Sequence, residues 1–336
     1  MKRTLVAAVL CLGLFSQPGL ADGSYAQRPE VISFATTMQE KYGFNRDEVL
    51  AALGQAHHEP RVIELIRPPA TTGVRSWQRY RARFLDGKRI DGGVAFWQAH
   101  AAALQKATEQ YGVPPEIIVA IIGVETFYGR DTGNFEIVSA LATLAFDYPP
   151  RASLFLGELE QIFLLAREQG RDPLSYYGSY AGAIGYPQFL PSSIRSYAVD
   201  FDGNGRIDFD EPDDAIGSVA NYLARHGWVR GEAVAIPALL SPETNAQALV
   251  DAGIEPVLTP GQITAAGIVA ASSNPPTAPA TLVDLATPGA PTEYWLGYRN
   301  FYAITRYNKS SFYAMAVFQL ARALRDQYAS VTGNAP

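Results

Sequence analysis

Glu125 is an isolated acidic residue in an apolar stretch with helical spacing. No other acidic or basic residue lies between Glu116 and Arg130, and positions 117 to 124 are aliphatic or glycine. A helix of this composition is apolar on every face and is expected to be buried. Burial raises the pKa of a carboxyl group, and the negative end of the helix dipole acts in the same direction. An acid that stays protonated near neutral pH can protonate a leaving-group oxygen, so the pattern is typical of a general acid.

The same pattern also fits a structural role. Glu125 could be a buried acid paired with Arg130 or another base, and the helix and its composition alone favour neither interpretation. Asp131, the next acidic residue, lies beyond Gly129 and off the helical face of Glu125. Ordinary glycosidases use a second carboxylate as a nucleophile or to activate water. We find no motif in this segment that supplies one.

A second concentration of oxygen-bearing side chains lies at residues 200–211. The segment matches the calcium-binding loop of an EF-hand, with Gly205 at its sharp turn. The predicted ligands are Asp200, Asp202, Asn204, the backbone carbonyl of Arg206, Asp208 and Glu211. In a longer loop Asp214 could replace Glu211. The structural alternative is a solvated acidic turn, whereas a single metal-binding loop would hold Ca²⁺ in a structural role.

Helices are expected to position both sites. Apolar residues recur every three to four positions over 31–42, 46–56, 61–66, 94–111, 115–129, 152–169, 192–199, 215–224 and 310–328. Asn45 is a predicted N-cap of the second of these helices. From Gly231 the pattern changes to short apolar runs separated by proline, threonine and glycine. This change predicts a small β-rich unit of about 65 residues inserted in a helical protein.

The N-terminus predicts export. Lys2 and Arg3, the apolar run 5–15 and the small-residue stretch 19–21 correspond to the three regions of a cleavable secretory signal. The apolar run is too short for a permanent membrane span. Cleavage after residue 21 would remove Cys11, the only cysteine, and with it any disulfide or thiol chemistry. The expected location is the bacterial periplasm, as a soluble protein.

Charge and composition exclude several other classes of function. The net charge is -6, and loss of Lys2 and Arg3 with the signal makes it -8. Such an acidic protein is a poor candidate for binding nucleic acid or an anionic membrane. His57 and His58 lack the spacing of metal ligands, and there is no glycine-rich phosphate loop, Ser-His-Asp order or zinc signature.

Three segments, in order along the chain, resemble the motifs of one enzyme family. Residues 123–130, 182–193 and 301–308, the last followed by 313–317, are similar to the successive motifs of the lytic murein transglycosylase B family, which comprises membrane-bound lytic transglycosylase B and its soluble forms. The resemblance extends over residues 34–324. This chain carries Ile184, Pro187 and Leu190 where relatives often have Met, Gly and Met. These differences leave the polar groups of the motifs in place.

The resemblance implies a mainly α (α+β) fold. A lysozyme-like catalytic core would carry an N-terminal helical domain and a small inserted β domain, with the glycan groove between them. The corresponding ranges are 1–21 for the signal peptide, 22–112 for the N-terminal helical domain, 113–230 for the core with its EF-hand-like loop 200–211, 231–298 for the β domain, and 299–336 for the C-terminal segment and helix that return to the core.

The resemblance also implies the reaction. Glu125 would protonate the β-1,4 bond between N-acetylmuramic acid (NAM) and N-acetylglucosamine (NAG). Its carboxylate would then take a proton from the C6 hydroxyl of NAM, which closes onto C1 as a 1,6-anhydro ring. This chemistry needs no cofactor. The implied partners are peptidoglycan glycan strands, with other cell-wall enzymes as further candidates, and neither nucleic acid nor a permanent membrane span is expected.

Three implied substrate-binding residues lie in or near the second motif. Gln188 corresponds to an amide that orients the sugar near the cleavage point. Phe189 corresponds to an apolar wall of the groove, and Ser179 to a hydroxyl close to the catalytic acid.

The remaining implied site residues surround these. Tyr307, Asn308 and Tyr313 correspond to a cluster beneath the catalytic acid. The positions that correspond to residues lining the cleft are Tyr80, Arg151 and Tyr222. For each tyrosine the structural alternative is packing in the core. We expect Asn308 to be a buried amide that needs partners, and its structural alternative is a turn residue.

Three rival functions remain open from the sequence. A hydrolytic muramidase would differ only in its products. A catalytically silent peptidoglycan-binding scaffold is disfavoured because a binding module gains nothing from an unpaired buried acid. A calcium-binding adhesion protein would explain residues 200–211 and leave the three motifs without a role.

Overall fold

The computed structural model describes residues 25–68 and 73–333. The predicted signal peptide, residues 1–21, lies outside the described residues. The chain divides into two compact units, Met1–His58 and Glu59–Pro336. The range predicted for the N-terminal helical domain, 22–112, therefore spans this division, and the boundaries after residues 112 and 230 stay predictions.

The first unit is a pair of helices with clear end signals. A 3₁₀ turn at Tyr25–Gln27 precedes α1 (Pro29–Tyr42) and α2 (Arg46–Gln55). Helix α1 ends because Gly43 adopts a φ of 69°, the left-handed conformation that glycine tolerates, and donates its N–H to the Gln39 carbonyl at 2.9 Å. The predicted cap of α2 is confirmed, since the Asn45 side chain accepts the N–H groups of Asp47 and Glu48.

The second unit is mainly helical. Its helices are α3 (Pro60–Ile66), α4 (Trp77–Arg81), α5 (Gly87–Ala99), α6 (Ala101–Tyr111), α7 (Pro115–Thr126), α8 (Ile137–Phe146), α9 (Ala152–Gln169), α10 (Pro191–Tyr197), α11 (Pro212–Arg225), α12 (Ala246–Asp251), α13 (Pro260–Ala265), α14 (Arg299–Thr305) and α15 (Ser311–Thr332). Short 3₁₀ turns lie at Pro149–Arg151 and Pro173–Ser175.

The core of the second unit is built around α7. This helix packs against α5, α6, α11 and α15. Ile118, Val119 and Ala120 follow one another at steps of about 100° around the helix, and all three are fully buried. The prediction that this segment is buried on every face is therefore confirmed. Helix α8, equally apolar, packs on α9 and adds a second layer of buried aliphatic side chains.

The described residues of this unit also form six strands. They are β1 (Phe135–Glu136), β2 (Tyr177–Gly178), β3 (Ala235–Leu240), β4 (Ile268–Ala270), β5 (Thr281–Leu285) and β6 (Glu293–Gly297). The first two form a two-stranded pair, in which Phe135 lies opposite Gly178. The other four form an antiparallel sheet in the order β4-β3-β6-β5.

The four-stranded sheet has a core of its own. Ile268, Leu282 and Leu296 from three strands pack with Ile263 of α13. The sheet falls inside 231–298, where the sequence predicts a small β-rich unit, so the change of pattern at Gly231 marks a real change of structure. Within the described residues, no helix combines the length and apolar character needed to cross a membrane.

Candidate active site

Glu125 is the second-last residue of α7, immediately before an abrupt turn. The helix ends at Thr126, earlier than the predicted end near Gly129, because Phe127 and Tyr128 adopt left-handed φ angles of 51° and 62°. Such angles are uncommon for residues other than glycine and are kept only where surrounding contacts enforce them. We call residues 126–129 the catalytic turn.

Thr126 ties the catalytic turn to the second motif. Its side-chain oxygen lies within hydrogen-bonding distance of the Tyr186 carbonyl, at 3.1 Å, and accepts the N–H of Gly129 at 3.0 Å. Thr126 is fully buried, so these bonds form away from water. Although it lies next to Glu125 in the first motif, sequence reasoning did not assign it a role.

Arg89 of α5 braces the turn through contacts with Tyr128, Phe127 and Gly123. The Tyr128 hydroxyl donates to the Arg89 carbonyl at 2.8 Å, and the Arg89 guanidinium donates to the Gly123 carbonyl of α7. The same guanidinium lies 4.8 Å from the centre of the Phe127 ring. Only glycine fits at positions 93 and 123, since an added Cβ would come within 2.4 Å and 2.6 Å of the Tyr128 hydroxyl. No sequence signal near Arg89 could have revealed this contact.

The Glu125 carboxyl group has a raised pKa. Burial among protein atoms raises this pKa to about 7, and a hydrogen bond from the Tyr313 hydroxyl to Oε1 opposes that rise. The residue as a whole is half-buried, so its side chain is not sealed from a ligand. In the described part of the chain Glu125 forms no ion pair, and Arg130 lies 4.9 Å from the Phe127 ring centre instead. The alternative in which Glu125 pairs with Arg130 is not found in this structure.

Three tyrosines share the electrostatic environment of Glu125. Burial raises the pKa of Tyr307 and of Tyr313 well above the usual value, and the negative charge of Glu125 raises both further. Burial also raises the pKa of Tyr80, to which Glu125 contributes in the same direction. All three therefore keep their protons and can act as hydrogen-bond donors. The predicted grouping of Tyr307 and Tyr313 with the acid agrees with this electrostatic coupling, whereas Tyr80 was predicted to line the cleft.

The second motif forms a tight turn held by Gln188. Its φ is 49°, and its side-chain amide donates to the carbonyls of Thr132 and Gly185, both at 3.0 Å. The Tyr307 hydroxyl donates to the neighbouring Pro187 carbonyl at 3.0 Å. The N–H₂ of Gln188 is thus used within the protein, which leaves its carbonyl oxygen to accept from a ligand.

Phe189 and Tyr222 lie in the interior. Phe189 is only 2% exposed, and its ring packs 5.3 Å from Tyr222 and 5.7 Å from Tyr307. The Tyr222 ring stacks on His226 at 4.1 Å, and its hydroxyl donates to the Arg306 carbonyl at 2.7 Å. Other aromatic rings cover the Phe189 ring, and its role as an apolar wall of the groove stays a prediction.

Ser179 and Arg151 are more accessible. The Ser179 hydroxyl oxygen accepts the N–H groups of Ala181 and Ala183, at 3.3 and 3.0 Å, which leaves its proton to donate. The Arg151 side chain is exposed on a 3₁₀ turn, with its guanidinium 5.1 Å from the Phe155 ring centre.

Asn308 departs from expectation. It lies between α14 and α15, and its residue is exposed, so the premise that it is a buried amide is wrong. The chain has to reverse here to bring Tyr313 back to Glu125, and the Ser310 N–H donates to the Asn308 carbonyl at 2.6 Å. Its side chain is free to meet a ligand in solution.

The acidic loop, residues 200–214, has a different construction. Asp200 accepts the N–H groups of Gly203 and Gly205, both at 2.8 Å. Asp200, Asp202 and Asp214 bring carboxylate oxygens within 4.8 Å of one another. Oxygen atoms gathered at this spacing match the donor set that Ca²⁺ prefers.

Asp214, and not Glu211, closes this group. Asp214 is 1% exposed and accepts the N–H groups of Phe201 and Asp208, at 2.7 and 2.8 Å. Glu211 stands at the N-cap of α11 and makes no side-chain capping bond. The loop is therefore longer than the twelve-residue pattern, which is the alternative that the sequence left open.

A family model and a curated relative match most of the chain. The model described as the transglycosylase SLT domain matches residues 26–322. The membrane-bound lytic murein transglycosylase B of Escherichia coli (strain K12) is 45% identical over 311 residues, which cover 90% of this chain and 84% of that protein.

Solved structures with similar folds include three lytic transglycosylases. Soluble SltB1 from Pseudomonas aeruginosa has a TM-score of 0.83 at 46% identity, over 91% of this chain and 100% of that chain. Slt35 from Escherichia coli, solved in complex with calcium, has a TM-score of 0.83 at 44% identity, over 91% and 96%. SltB3 from Pseudomonas aeruginosa, solved with NAG-NAM-pentapeptide, has a TM-score of 0.75 at 29% identity, over 88% and 79%.

Proposed function

Since the chain belongs to the transglycosylase SLT domain family, we propose that it is a lytic transglycosylase of peptidoglycan in which Glu125 is the single catalytic acid and base. The family resemblance and the mainly helical fold predicted from the sequence are confirmed. The observation that carries the assignment of Glu125 is its carboxyl group, which has a pKa of about 7 and accepts a hydrogen bond from the Tyr313 hydroxyl.

The first step is proton transfer to the leaving group. At neutral pH a large fraction of Glu125 is protonated, so it can donate its proton to the oxygen that links NAM to NAG. As the bond from C1 of NAM to that oxygen breaks, the NAG hydroxyl leaves and positive charge develops at C1. The Glu125 carboxylate formed in this step is stabilised by the hydrogen bond from Tyr313.

The second step uses the substrate as its own nucleophile. The carboxylate of Glu125 takes the proton of the C6 hydroxyl, and that oxygen bonds to C1 to close the 1,6-anhydro ring. Glu125 is then protonated again, and no water is consumed. Asp131, the nearest acid in sequence, is exposed, and its backbone N–H donates to the Thr126 carbonyl. We assign its carboxylate no part in the reaction.

The accessible polar residues would position the glycan. Ser179 offers a hydroxyl proton, Gln188 a carbonyl oxygen and Asn308 an unburied amide. We assign a supporting role to Phe189 and Tyr222, since both are buried. The residues at the proposed edge of the groove are Tyr80 and Arg151. Holding a sugar ring in a reactive orientation lowers the barrier without any covalent contribution from these groups.

Calcium would have a structural role. Slt35 was solved in complex with calcium, and the acidic loop has the donor chemistry for the same ion. We propose that Asp200, Asp202 and Asp214 bind Ca²⁺, assisted by Asn204, Asp208 and the Arg206 carbonyl. The ion would stabilise the loop between α10 and α11 and take no part in the chemical step.

The proposed substrate also suggests where the protein works. Peptidoglycan lies in the bacterial periplasm, and residues 1–21 have the pattern of a cleavable secretory signal. We propose that the mature chain acts there on glycan strands that carry peptide stems, as in the ligand solved with SltB3.

The alternative function is a hydrolytic muramidase, and the chemical nature of the reaction products distinguishes the two enzymes. Muropeptides released from purified sacculi should end in 1,6-anhydro-NAM and be lighter by one water, about 18 Da, than hydrolytic fragments, because the substrate and not water supplies the nucleophile. The measurement is their mass spectrum. A majority of reducing ends would instead identify a hydrolase and would require a second acid near Glu125.

A further inference from the structure

A second cleft lies in the same unit as Glu125. It encloses a cavity of about 680 Å³, within the range usual for ligand sites. Its walls are α4, the β5–β6 connection, β6 and α15. Neither Glu125 nor any residue of the three motifs lines it. We call it the lateral cleft.

Helix geometry separates the lateral cleft from the catalytic carboxyl. Tyr313, which donates to Glu125, and Arg322 and Asp326, which line the cleft, all lie on α15. Because an α-helix turns about 100° per residue, Arg322 and Asp326 point roughly 180° and 140° away from Tyr313. The cleft therefore opens on the side of α15 that faces away from the catalytic site.

The rim of the lateral cleft carries charges of both signs. Arg81 and Arg322 supply two guanidinium groups, and Glu293 and Asp326 supply two carboxylates, all on exposed residues. Arg81 donates through Nε to the Gln319 side chain at 2.6 Å, which holds its guanidinium at the wall. Guanidinium groups bind carboxylates through paired hydrogen bonds, and carboxylates bind ammonium groups.

These features favour a charged peptide over a sugar. The two indole rings that line the cleft belong to Trp77 and Trp295, which are 2% and 7% exposed, so neither offers an open face for a sugar ring. The separated charges of the rim are complementary to a ligand that has carboxylates and an ammonium group. A neutral glycan would give no ionic partner to Arg81, Arg322 or Glu293. Asp326 already lies 3.6 Å from the Nε of Arg325, so its carboxylate would be shared between that guanidinium and a bound ammonium group.

We propose that the lateral cleft binds the peptide stem of peptidoglycan. The carboxylates of the stem contact Arg81 and Arg322, and its ammonium group contacts Glu293 and Asp326. This inference rests on the proposed function, which makes peptide-bearing strands the substrate. A stem held here gives the enzyme a second attachment to the wall while Glu125 acts on a glycan bond elsewhere.

The direct test is calorimetric binding of the free wall pentapeptide to the full chain. We expect Arg322→Ala and Asp326→Asn each to weaken binding about tenfold, the effect of losing one hydrogen bond to a charged group. Arg322→Lys, which keeps the charge, should recover part of the affinity. Arg67→Ala removes an exposed arginine that does not line the cleft, so it is the matched control and should bind as the wild type does.

Binding of peptide-free NAG-NAM tests whether the lateral cleft binds sugar instead of peptide. It should show no loss of affinity on Arg322→Ala; a loss equal to that of the pentapeptide would mean that the cleft binds sugar, and would overturn the proposal. Unchanged pentapeptide affinity in both variants would overturn it as well. Neither ligand contains the NAM–NAG bond that Glu125 would cleave, so these results do not depend on the catalytic assignment, which the product masses test separately.

Discussion

The catalytic turn and the acidic loop hold their carboxyl groups in opposite ways. Hydrogen bonds link Glu125 to Tyr313, 188 positions away, and Thr126 to Tyr186, 60 positions away. In the acidic loop, the Asp200 carboxylate accepts from N–H groups only three and five positions on. The first carboxyl depends on the whole unit for its environment, whereas the second group is organised almost entirely by its own segment.

This difference follows from what each site has to do. A carboxyl group keeps a raised pKa only where distant elements pack around it and remove water. A calcium loop needs charged oxygen ligands close together, and short-range backbone bonds are enough to arrange them. Changes near Glu125 should therefore alter the reaction, and changes in the acidic loop should alter stability.

The largest expected effect is that of Glu125→Gln. The amide keeps the shape of the side chain and can still accept from Tyr313, but it has no proton to transfer. Loss of a general acid and base lowers rates by about 10²–10⁴-fold, and we expect the upper end because one residue serves both steps. The measurement is the release of muropeptides from sacculi.

The melting temperature of Glu125→Gln is the control, because it shows whether the variant is folded. Burial favours the neutral form of Glu125, so a neutral amide should leave the melting temperature unchanged or higher above pH 7. Turnover close to that of the wild type by a folded Glu125→Gln variant would exclude Glu125 as the catalytic acid.

The pH dependence should be the next largest effect. With a pKa of about 7, half of Glu125 is protonated at pH 7 and about 1% at pH 9, so kcat/KM should fall about fiftyfold between these two pH values. The free energy of unfolding should also fall as the pH rises. A carboxyl group whose pKa is raised in the folded state contributes fully to stability below its ordinary pKa, and that contribution is lost as the pH rises through 7. A pH profile without a basic limb between 6 and 8 would contradict this role.

A smaller change is expected for Tyr313→Phe. Its hydrogen bond lowers the pKa of Glu125, so its removal should move the basic limb to higher pH. The rate at pH 6 should fall about tenfold, because the carboxylate formed in the first step loses its donor.

Tyr222→Phe is the matched control for that variant. Its hydroxyl is also buried but donates to the Arg306 carbonyl, so its loss should not move the basic limb. The measurement is kcat/KM from pH 5 to pH 9 for both variants. An equal shift in both would mean that Tyr313 acts only through packing.

The two regions also differ in how far sequence could predict them. The gathering of carboxylates in the acidic loop could be predicted because its acidic residues and glycines follow one another within one short segment; the binding of calcium stays a prediction. Even so, the pattern could not choose between Glu211 and Asp214, since that depends on where α11 begins. In the structure α11 begins at Pro212, which places Asp214 in its first turn, facing the loop.

The catalytic turn was only partly predictable. The single acid in an apolar helix identified Glu125, and the family motifs identified Tyr313. The bracing by Arg89 was not predictable, because it depends on the packing of α5 against α7 and leaves no local pattern. The motifs also predicted Asn308 and Phe189 for this neighbourhood. The expected burial of Asn308 was wrong, because exposure depends on tertiary packing and not on the motif.

The smallest expected effect is on stability, through calcium. An ion that binds only the folded state adds about 2.7 kcal/mol at a hundredfold excess over its Kd, which for a chain of this size raises the melting temperature by several degrees. EDTA should therefore lower the melting temperature, and added calcium should restore it. Activity measured well below the melting transition should change little, since no proposed step involves the ion.

Two variants in the acidic loop decide which acid closes the site. Asp214→Asn keeps an oxygen that can accept the Phe201 N–H but loses the negative charge, so the calcium-dependent shift in melting temperature should disappear. Glu211→Gln removes the same charge from a side chain outside the group and should keep the shift. If Glu211→Gln abolishes the shift and Asp214→Asn keeps it, Glu211 is the acid that completes the calcium site. The start of α11 would then have to rearrange when calcium binds. If calcium does not change the melting temperature of the wild type, residues 200–214 are an ordinary acidic turn. The buried Asp214 carboxylate would then only accept hydrogen bonds from the backbone N–H groups around it.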